Sequence, residues 1–412
     1  MRTIYSTLIL LYGSAIRLAG LLGNSKARLW HAGRKNWRED LKRLNLKEQK
    51  TAWFHAASLG EFEQARPLIE EYKVRFPAHF ILLSFFSPSG YEIQKNYDLA
   101  NLVVYLPSDT QKNARDFLNL VKPTNIFFIK YEFWFNYLNR IKELEINCYL
   151  ISGIFRRKQH FFGIYGTWFS NHLNAFSHFF VQNSSSKNLL KSIAFNNVTV
   201  SGDTRLDRVK KIARDDFKNP LIEAFCKNEK IIIFGSSWKP ENELAIKLHK
   251  ANSGIKIIVA PHEIDANKMT QLKNLLGKKS QLLSNAKNFG LKKDSTILVI
   301  DEIGLLSKIY RYATFAVIGG GFGSGIHNTL EAVVYGCPVI FGPNYRKFQE
   351  ATDLLENEVA FSIKDEEAFL QISTRLLQDS KFLKNSQDRA REYVEKNTGA
   401  TQLIMEHLLH KK

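Results

Sequence analysis

Cysteine is scarce: Cys148, Cys226 and Cys337 are the only three in 412 residues, each in a different apolar stretch. That spacing excludes a local zinc knuckle and a CxxC redox pair, and predicts three small buried thiols in a reducing compartment. Acidic side chains are also few, 40 Asp and Glu against 58 Lys and Arg, which leaves a net charge of +18. An excess of this size suits an anionic partner: nucleic acid, an acidic bilayer surface or a phosphorylated substrate. A solvated basic surface is the plainer explanation. C2H2 spacing and RNP-like aromatics are both missing and lysine is scattered, so no nucleic acid is expected. No long polar tract signals disorder, and no internal repeat is visible.

Two common phosphate-binding patterns are missing as well. Residues 317–343 read VIGGGFGSGIHNTLEAVVYGCPVIFGP. No register gives G-x-G-x-x-G, because the third glycine falls on Ser324 or Ile326. There is no G-K-[ST] either, since Ile326 and His327 follow Gly325. Without a P-loop lysine or a cluster of metal-binding carboxylates, neither a metal nor a separate cofactor is expected.

What is present is a folded chain long enough for two domains, 44% hydrophobic and 24% charged. Thr3 to Gly23 is apolar for about the length of a bilayer span, interrupted by Arg17 and followed by Lys26, Arg28, Arg34 and Lys35. No small-residue cleavage signal is evident. Ile4, Leu8, Leu11, Ala15, Leu18 and Leu22 recur at helical spacing. A spanning helix, one lying in the interface with its basic flank on anionic lipid, and one docked on the protein all fit.

From Thr51 apolar strands alternate with amphipathic helices. TAWFHAA, FILLSFF, NLVVYLP, TNIFFIK, NCYLISG, HFFVQ and VTVSGD form a first series of strands. KIIIFGSS, IKIIVAP, STILVID, TFAVIGG and CPVIFGP form a second. Near-continuous apolar strands with helices between them predict an α/β fold of two parallel sheets. The expected boundaries are a membrane-associated segment at 1–30, a first Rossmann-like domain at 31–204, a second at 205–390 and a helical segment at 391–412. Two such domains facing a cleft would bind ligands at the carboxyl ends of their strands.

Several strand ends carry candidate chemistry. In HAASLGE a strand turns through Ser58 and Gly60 into a helix that begins near Glu61. The helix dipole alone favours such an acid, and a general base is its functional alternative. In SPSGYE the helix start suits an anion or an ordinary N-cap. Glu132, just past a strand and beside Trp134, reads as an N-cap or as a site carboxylate. Ser236, Ser237, Pro261 and His262 are suited to lining a nucleotide or sugar pocket. In the glycine run, which includes Gly321, the missing side chains would let backbone approach a ligand. Asn328 and Glu331 lie one helical turn apart and could clamp ribose hydroxyls. His327 reads as a structural donor.

WFHAASLGE, SPSGYE, YLPSD, YEFWFN, SGDTRLD, GSSW, APHE and the GGG…HNTLEA…GCPVIFGPNYRKFQEA block together resemble the 3-deoxy-D-manno-octulosonic acid (Kdo) transferases of lipopolysaccharide assembly. The resemblance implies the glycosyltransferase-B architecture. It also implies an enzyme on the cytoplasmic side of the inner membrane, with CMP-Kdo as donor and a phosphorylated lipid A precursor as acceptor. It places the proton acceptor on Glu61 and a second site carboxylate on Glu132. It places CMP on Pro261 and His262, on Ile303, Gly304 and Leu305, and on Asn328, Thr329, Leu330 and Glu331. The chain departs from the pattern at Leu305, where the family usually has Glu, at SGIFR (152–156), and at Arg205, where it usually has Lys. A UDP-sugar enzyme of the same architecture and a non-catalytic membrane-tethered nucleotide-binding protein are the alternatives.

Overall fold

The computed structural model describes residues 2–44, 46, 49–163 and 166–410. Met1, Lys411 and Lys412, at the ends of two expected segments, lie outside the described residues. Two compact units are present: residues 1–207 together with 399–412, and residues 208–398.

Each unit is built on a seven-stranded sheet. The first has the order β3-β2-β1-β4-β5-β6-β7. Its strands are β1 (Thr51–Ala56), β2 (Phe80–Phe85), β3 (Leu102–Tyr105), β4 (Pro123–Ile129), β5 (Asn147–Gly153), β6 (His178–Val181) and β7 (Val198–Val200). The second has the order β10-β11-β9-β8-β12-β13-β14. It contains β8 (Lys230–Ser237), β9 (Ile255–Pro261), β10 (Ser280–Leu282), β11 (Ile297–Val299), β12 (Phe315–Ile318), β13 (Val339–Phe341) and β14 (Ala360–Ser362). The strand pairs are parallel in both sheets.

The long apolar runs form strands because helices cover both faces of each sheet. Every residue of β1 is buried, and Trp53 and Phe54 point to opposite sides into separate clusters with Phe128 and Phe127. The strand order reverses between β1 and β4 in the first sheet and between β8 and β12 in the second. At such switch points neighbouring loops diverge and leave a crevice at the carboxyl edge.

The expected boundaries differ from the observed ones for physical reasons. Helices Thr204–Arg214 and Ser380–Asn397 run straight through 204/205 and 390/391. The final helix, Ala400–His410, returns to the first unit. Ile404, Met405 and Leu408 are buried there beside Phe54 and Phe180. Asp207 fixes its start, accepting hydrogen bonds from Gly399 N at 2.6 Å and Thr401 N at 2.7 Å.

The apolar N-terminus forms one helix, Arg2–Leu21, in which only Gly20 is buried. Its inner side is tied to the first unit by polar bonds. The Tyr5 hydroxyl donates to Asp109 at 2.6 Å, and Asn136 Nδ2 donates to Ser6 Oγ at 3.3 Å. Burial pushes the Asp109 carboxyl up to about 6 despite the Tyr5 hydroxyl and the Asn136 and Tyr137 N–H groups it accepts. Ile4, Leu8, Leu11, Leu18 and Leu22 are all 58–80% exposed. In the expected basic flank Arg34 is turned inward. Its guanidinium donates to the carbonyls of Leu106, Trp30 and Phe86 and lies 3.9 Å from the Trp30 ring centroid.

Candidate active site

At the β1/β4 switch point the chain leaves β1 through Ser58, the extended N-cap residue of helix Leu59–Arg75. Glu61 follows at the third helical position, a spacing that predicts a capping box. That box does not form: the Ser58 side chain makes no bond to the helix backbone and donates to the Glu61 carboxylate instead. The neighbouring SPSG turn packs against this one, with Ser87 N donating to Ala57 O at 2.7 Å. Ser87 caps its own helix through Ser89 N, so the N-cap reading accounts for its hydroxyl.

Glu132 lies across the same switch point, just after β4, and is 7% exposed. It is not an N-cap. Trp134 is the N-cap residue of helix Phe135–Glu143, and Asp109 satisfies the first N–H groups, those of Asn136 and Tyr137. The Glu132 carboxylate instead meets His55 Nε2 at 2.9 Å and Trp134 Nε1 at 2.6 Å, both at Oε2. His55 is completely buried on β1 and carries no signal in the sequence beyond its place in HAASLGE. At the end of β7, Arg205 forks onto Asp203 at 2.6–3.1 Å, and Gln64 Nε2 donates to the same carboxylate at 3.2–3.3 Å. Burial raises the Asp203 pKa, but the guanidinium outweighs it and holds the carboxyl below its usual value. Arg156 lies on the surface with its guanidinium 5.7 Å from the Tyr131 ring centroid.

In the second unit the glycine run follows β12 at the β8/β12 switch point and closes on itself. Gly323 N and Gly325 N both donate to Gly320 O, at 2.9 and 3.2 Å, and His327 N donates to Gly319 O at 3.0 Å. The buried Glu241 carboxylate accepts from Gly320 N at 2.9 Å and from Trp238 N at 3.0 Å, fixing the loop to the start of helix Lys239–Ala251, which follows β8. The glycines serve this packing. A Cβ on Gly319 would lie 2.0 Å from Ser236 O, and one on Gly321 would lie 2.5 Å from Gly342 N. At Gly319 and Gly321, protein backbone therefore occupies the space that a side chain would need. The helix beyond the loop is also a single turn, Leu330–Val333, and Asn328 lies before it.

Three rings stack beside the loop. The Trp238 and His262 centroids are 4.7 Å apart, and those of His262 and His327 are 4.2 Å apart. Burial, then the neighbouring His262, lowers the His327 pKa to about 4. His327 is therefore neutral at pH 7, and its Nε2 accepts the Trp238 indole N–H at 3.2 Å rather than donating. Asn328 Nδ2 donates to Glu331 at 3.0 Å while its Oδ1 accepts Leu330 N at 3.1 Å. Burial raises the Glu331 pKa; the Asn328 bond and the Arg208 charge act against it. The hydroxyls of Ser237 and Thr329 are buried with no partner among the described residues. Both stand at this switch point, where a ligand could satisfy them.

The structure thus groups Ser236, Ser237, Pro261, His262, Gly321 and Asn328–Glu331 around one strand edge. Ile303 is 92% exposed, and Gly304 has nothing within 4 Å of where its Cβ would be. No described side-chain bond joins 303–305 to the ring stack. Trp238, Glu241 and Arg208 were not singled out by the sequence, because their roles depend on neighbours distant along the chain.

Residues 35–208 match the family described as 3-deoxy-D-manno-octulosonic-acid transferase (kdotransferase). The 3-deoxy-D-manno-octulosonic acid transferase of Aquifex aeolicus is 28% identical over 85% of this chain and 94% of its own length. A bifunctional glycosyltransferase/methyltransferase of Fusobacterium nucleatum is 23% identical over 86% of this chain, which spans 56% of that longer protein. Among solved structures, the UDP-GlcNAc 2-epimerase of Neisseria meningitidis bound to UDP-GlcNAc shares the fold, with a TM-score of 0.61 and 14% identity. That alignment covers 87% of this chain and all of the epimerase. With two parallel-sheet units of glycosyltransferase-B type, the chain is similar over most of its length to Kdo transferases, and residues 35–208 carry the match to that family.

Proposed function

We propose that the protein transfers Kdo from CMP-Kdo to a phosphorylated lipid A precursor, with inversion, in lipopolysaccharide assembly. The observation that carries this reading is the pair of carboxylates, Glu61 and Glu132, at the β1/β4 switch point of a chain similar to Kdo transferases. Glu61 takes the proton of an acceptor hydroxyl, whose oxygen forms a new bond to the anomeric carbon of Kdo. The bond from that carbon to the CMP phosphate oxygen breaks, and CMP leaves with the electron pair. The second unit holds the nucleotide: the Trp238–His262–His327 stack offers an aromatic wall to the base, and Asn328 and Glu331 offer polar groups to the ribose. No step is assigned to a metal. Incubation with CMP-Kdo and lipid A precursor, read by mass spectrometry, should show added Kdo and count the residues transferred. Calorimetric binding of UDP in preference to CMP, with no Kdo transfer, would overturn the reading in favour of a UDP-sugar enzyme.

The N-terminal helix is proposed to lie in the interface of an anionic membrane on the cytoplasmic side. Its inner side is committed to Asp109 and Asn136, while the leucine stripe faces outward. Changing Leu8, Leu11 and Leu18 together to Glu should release the protein from anionic vesicles without altering its melting temperature, because all three side chains are exposed. Single cysteines at positions 4 and 22 should both react with a membrane-impermeant thiol reagent added from one side. Labelling of one but not the other would indicate a spanning helix.

A further inference from the structure

One buried titratable group has no part in the mechanism above. His55 sits on β1, completely inaccessible, between Ser84 of β2 and Glu132 after β4. We infer that His55 is the positioning residue of a hydrogen-bond relay, Trp53–Ser84–His55–Glu132, which aims one oxygen of the Glu132 carboxylate at the acceptor sugar. This inference rests on the Kdo-transfer reading.

The shortest contacts set the direction of the relay. The Trp53 indole N–H is only a donor, and it reaches Ser84 Oγ at 2.7 Å. Ser84 then has one proton to give, and His55 Nδ1 is 2.8 Å away, whereas Phe54 O is 3.5 Å away; the Ser84 carbonyl, the competing partner for a protonated Nδ1, is farther from that nitrogen, at 3.1 Å. With Nδ1 accepting, the imidazole carries its proton on Nε2 and donates it to Glu132 Oε2 at 2.9 Å. Trp134 Nε1 donates to the same oxygen at 2.6 Å, a shorter contact than its 3.1 Å to His55 Nε2. Every polar side chain in the line then has a partner.

The consequence concerns Oε1. Both donors converge on Oε2, and no described residue bonds to Oε1. A carboxylate with one oxygen pinned has one lone-pair edge left for a ligand, and its orientation is set by the imidazole behind it. The frame is stiff: the Trp134 ring packs on Phe86 with centroids 4.8 Å apart, and the His55 ring lies edge-on to Phe128 at 5.7 Å. Glu132 therefore receives a hydrogen bond from an acceptor hydroxyl in a fixed direction and orients it toward the donor sugar.

The test compares His55→Gln, whose amide nitrogen can replace Nε2–H, with His55→Phe, which removes the donor. The Phe variant should lose about 10²-fold in kcat, the scale of a roughly 1 Å misplacement, with both KM values near wild type. The Gln variant should recover most of that loss. Equal losses in Gln and Phe, losses confined to KM, or kcat falling only in step with melting temperature would overturn the positioning role. The 15N spectrum of the wild-type His55 ring provides an activity-independent readout. A protonated Nε2 and bare Nδ1 are expected, and a protonated Nδ1 would overturn the relay. Absence of Kdo transfer by the wild type would count against the functional reading, and the ring spectrum would still decide the relay.

Discussion

Glu61→Gln is expected to lower Kdo transfer by about 10²–10⁴-fold, the usual contribution of a positioned general base, while CMP binding measured by calorimetry stays unchanged. The separation follows from where the residues sit. Glu61 belongs to the first unit, and the side chains proposed to hold the nucleotide belong to the second. Gln has nearly the same shape and can still accept the Ser58 hydroxyl, so the turn after β1 should keep its form. What it lacks is the ability to take a proton. A Gln variant with substantial turnover would remove Glu61 from the base role and shift attention to Glu132, whose Oε1 is available across the same switch point.

The second large effect is expected in the glycine run. Gly321→Ala places a methyl group 2.5 Å from Gly342 N, and Gly319→Ala places one 2.0 Å from Ser236 O. In both cases the obstacle is backbone at a strand end, which cannot swing aside as a side chain would. Overpacking of this kind costs about 1–3 kcal/mol, occasionally more. The same displacement would disturb the Gly320 N–H that Glu241 holds and the His327 ring beyond it. Both variants should therefore melt at lower temperature and lose CMP affinity. Gly323→Ala is the control: its nearest neighbour would be Gly320 O at 3.7 Å, an ordinary contact, so little change is expected. Equal losses at all three positions would mean that the glycines are needed for ligand access.

Much of the fold is legible in the sequence because its signals are local. Runs such as FILLSFF and KIIIFGSS are too uniformly apolar for a half-exposed strand, and helices between them require parallel pairing. The three-residue edge strands β10 and β14 were not singled out, since Ser280–Leu282 and Ala360–Ser362 are strands only because a neighbour pairs with them. The turn residues were readable too: Glu61, Glu132 and Asn328 all stand at strand ends.

What each of those residues touches depended on folding. The carboxylate of Glu132 is N-cap or site group according to whether Asp109, distant in sequence, takes the helix terminus, and it does. Arg34, one of four basic residues that looked ready for lipid, was claimed by three carbonyls. The leucine stripe of the first helix was evident from its spacing, but only the tertiary structure decided that it faces outward. The sequence by itself determined which segments become strands and helices and which strand ends carry polar chemistry, because periodicity and apolar runs act over a few residues. Only the tertiary structure decided the strand order, the switch points and the partners of buried polar groups, because these depend on contacts between segments far apart in the chain.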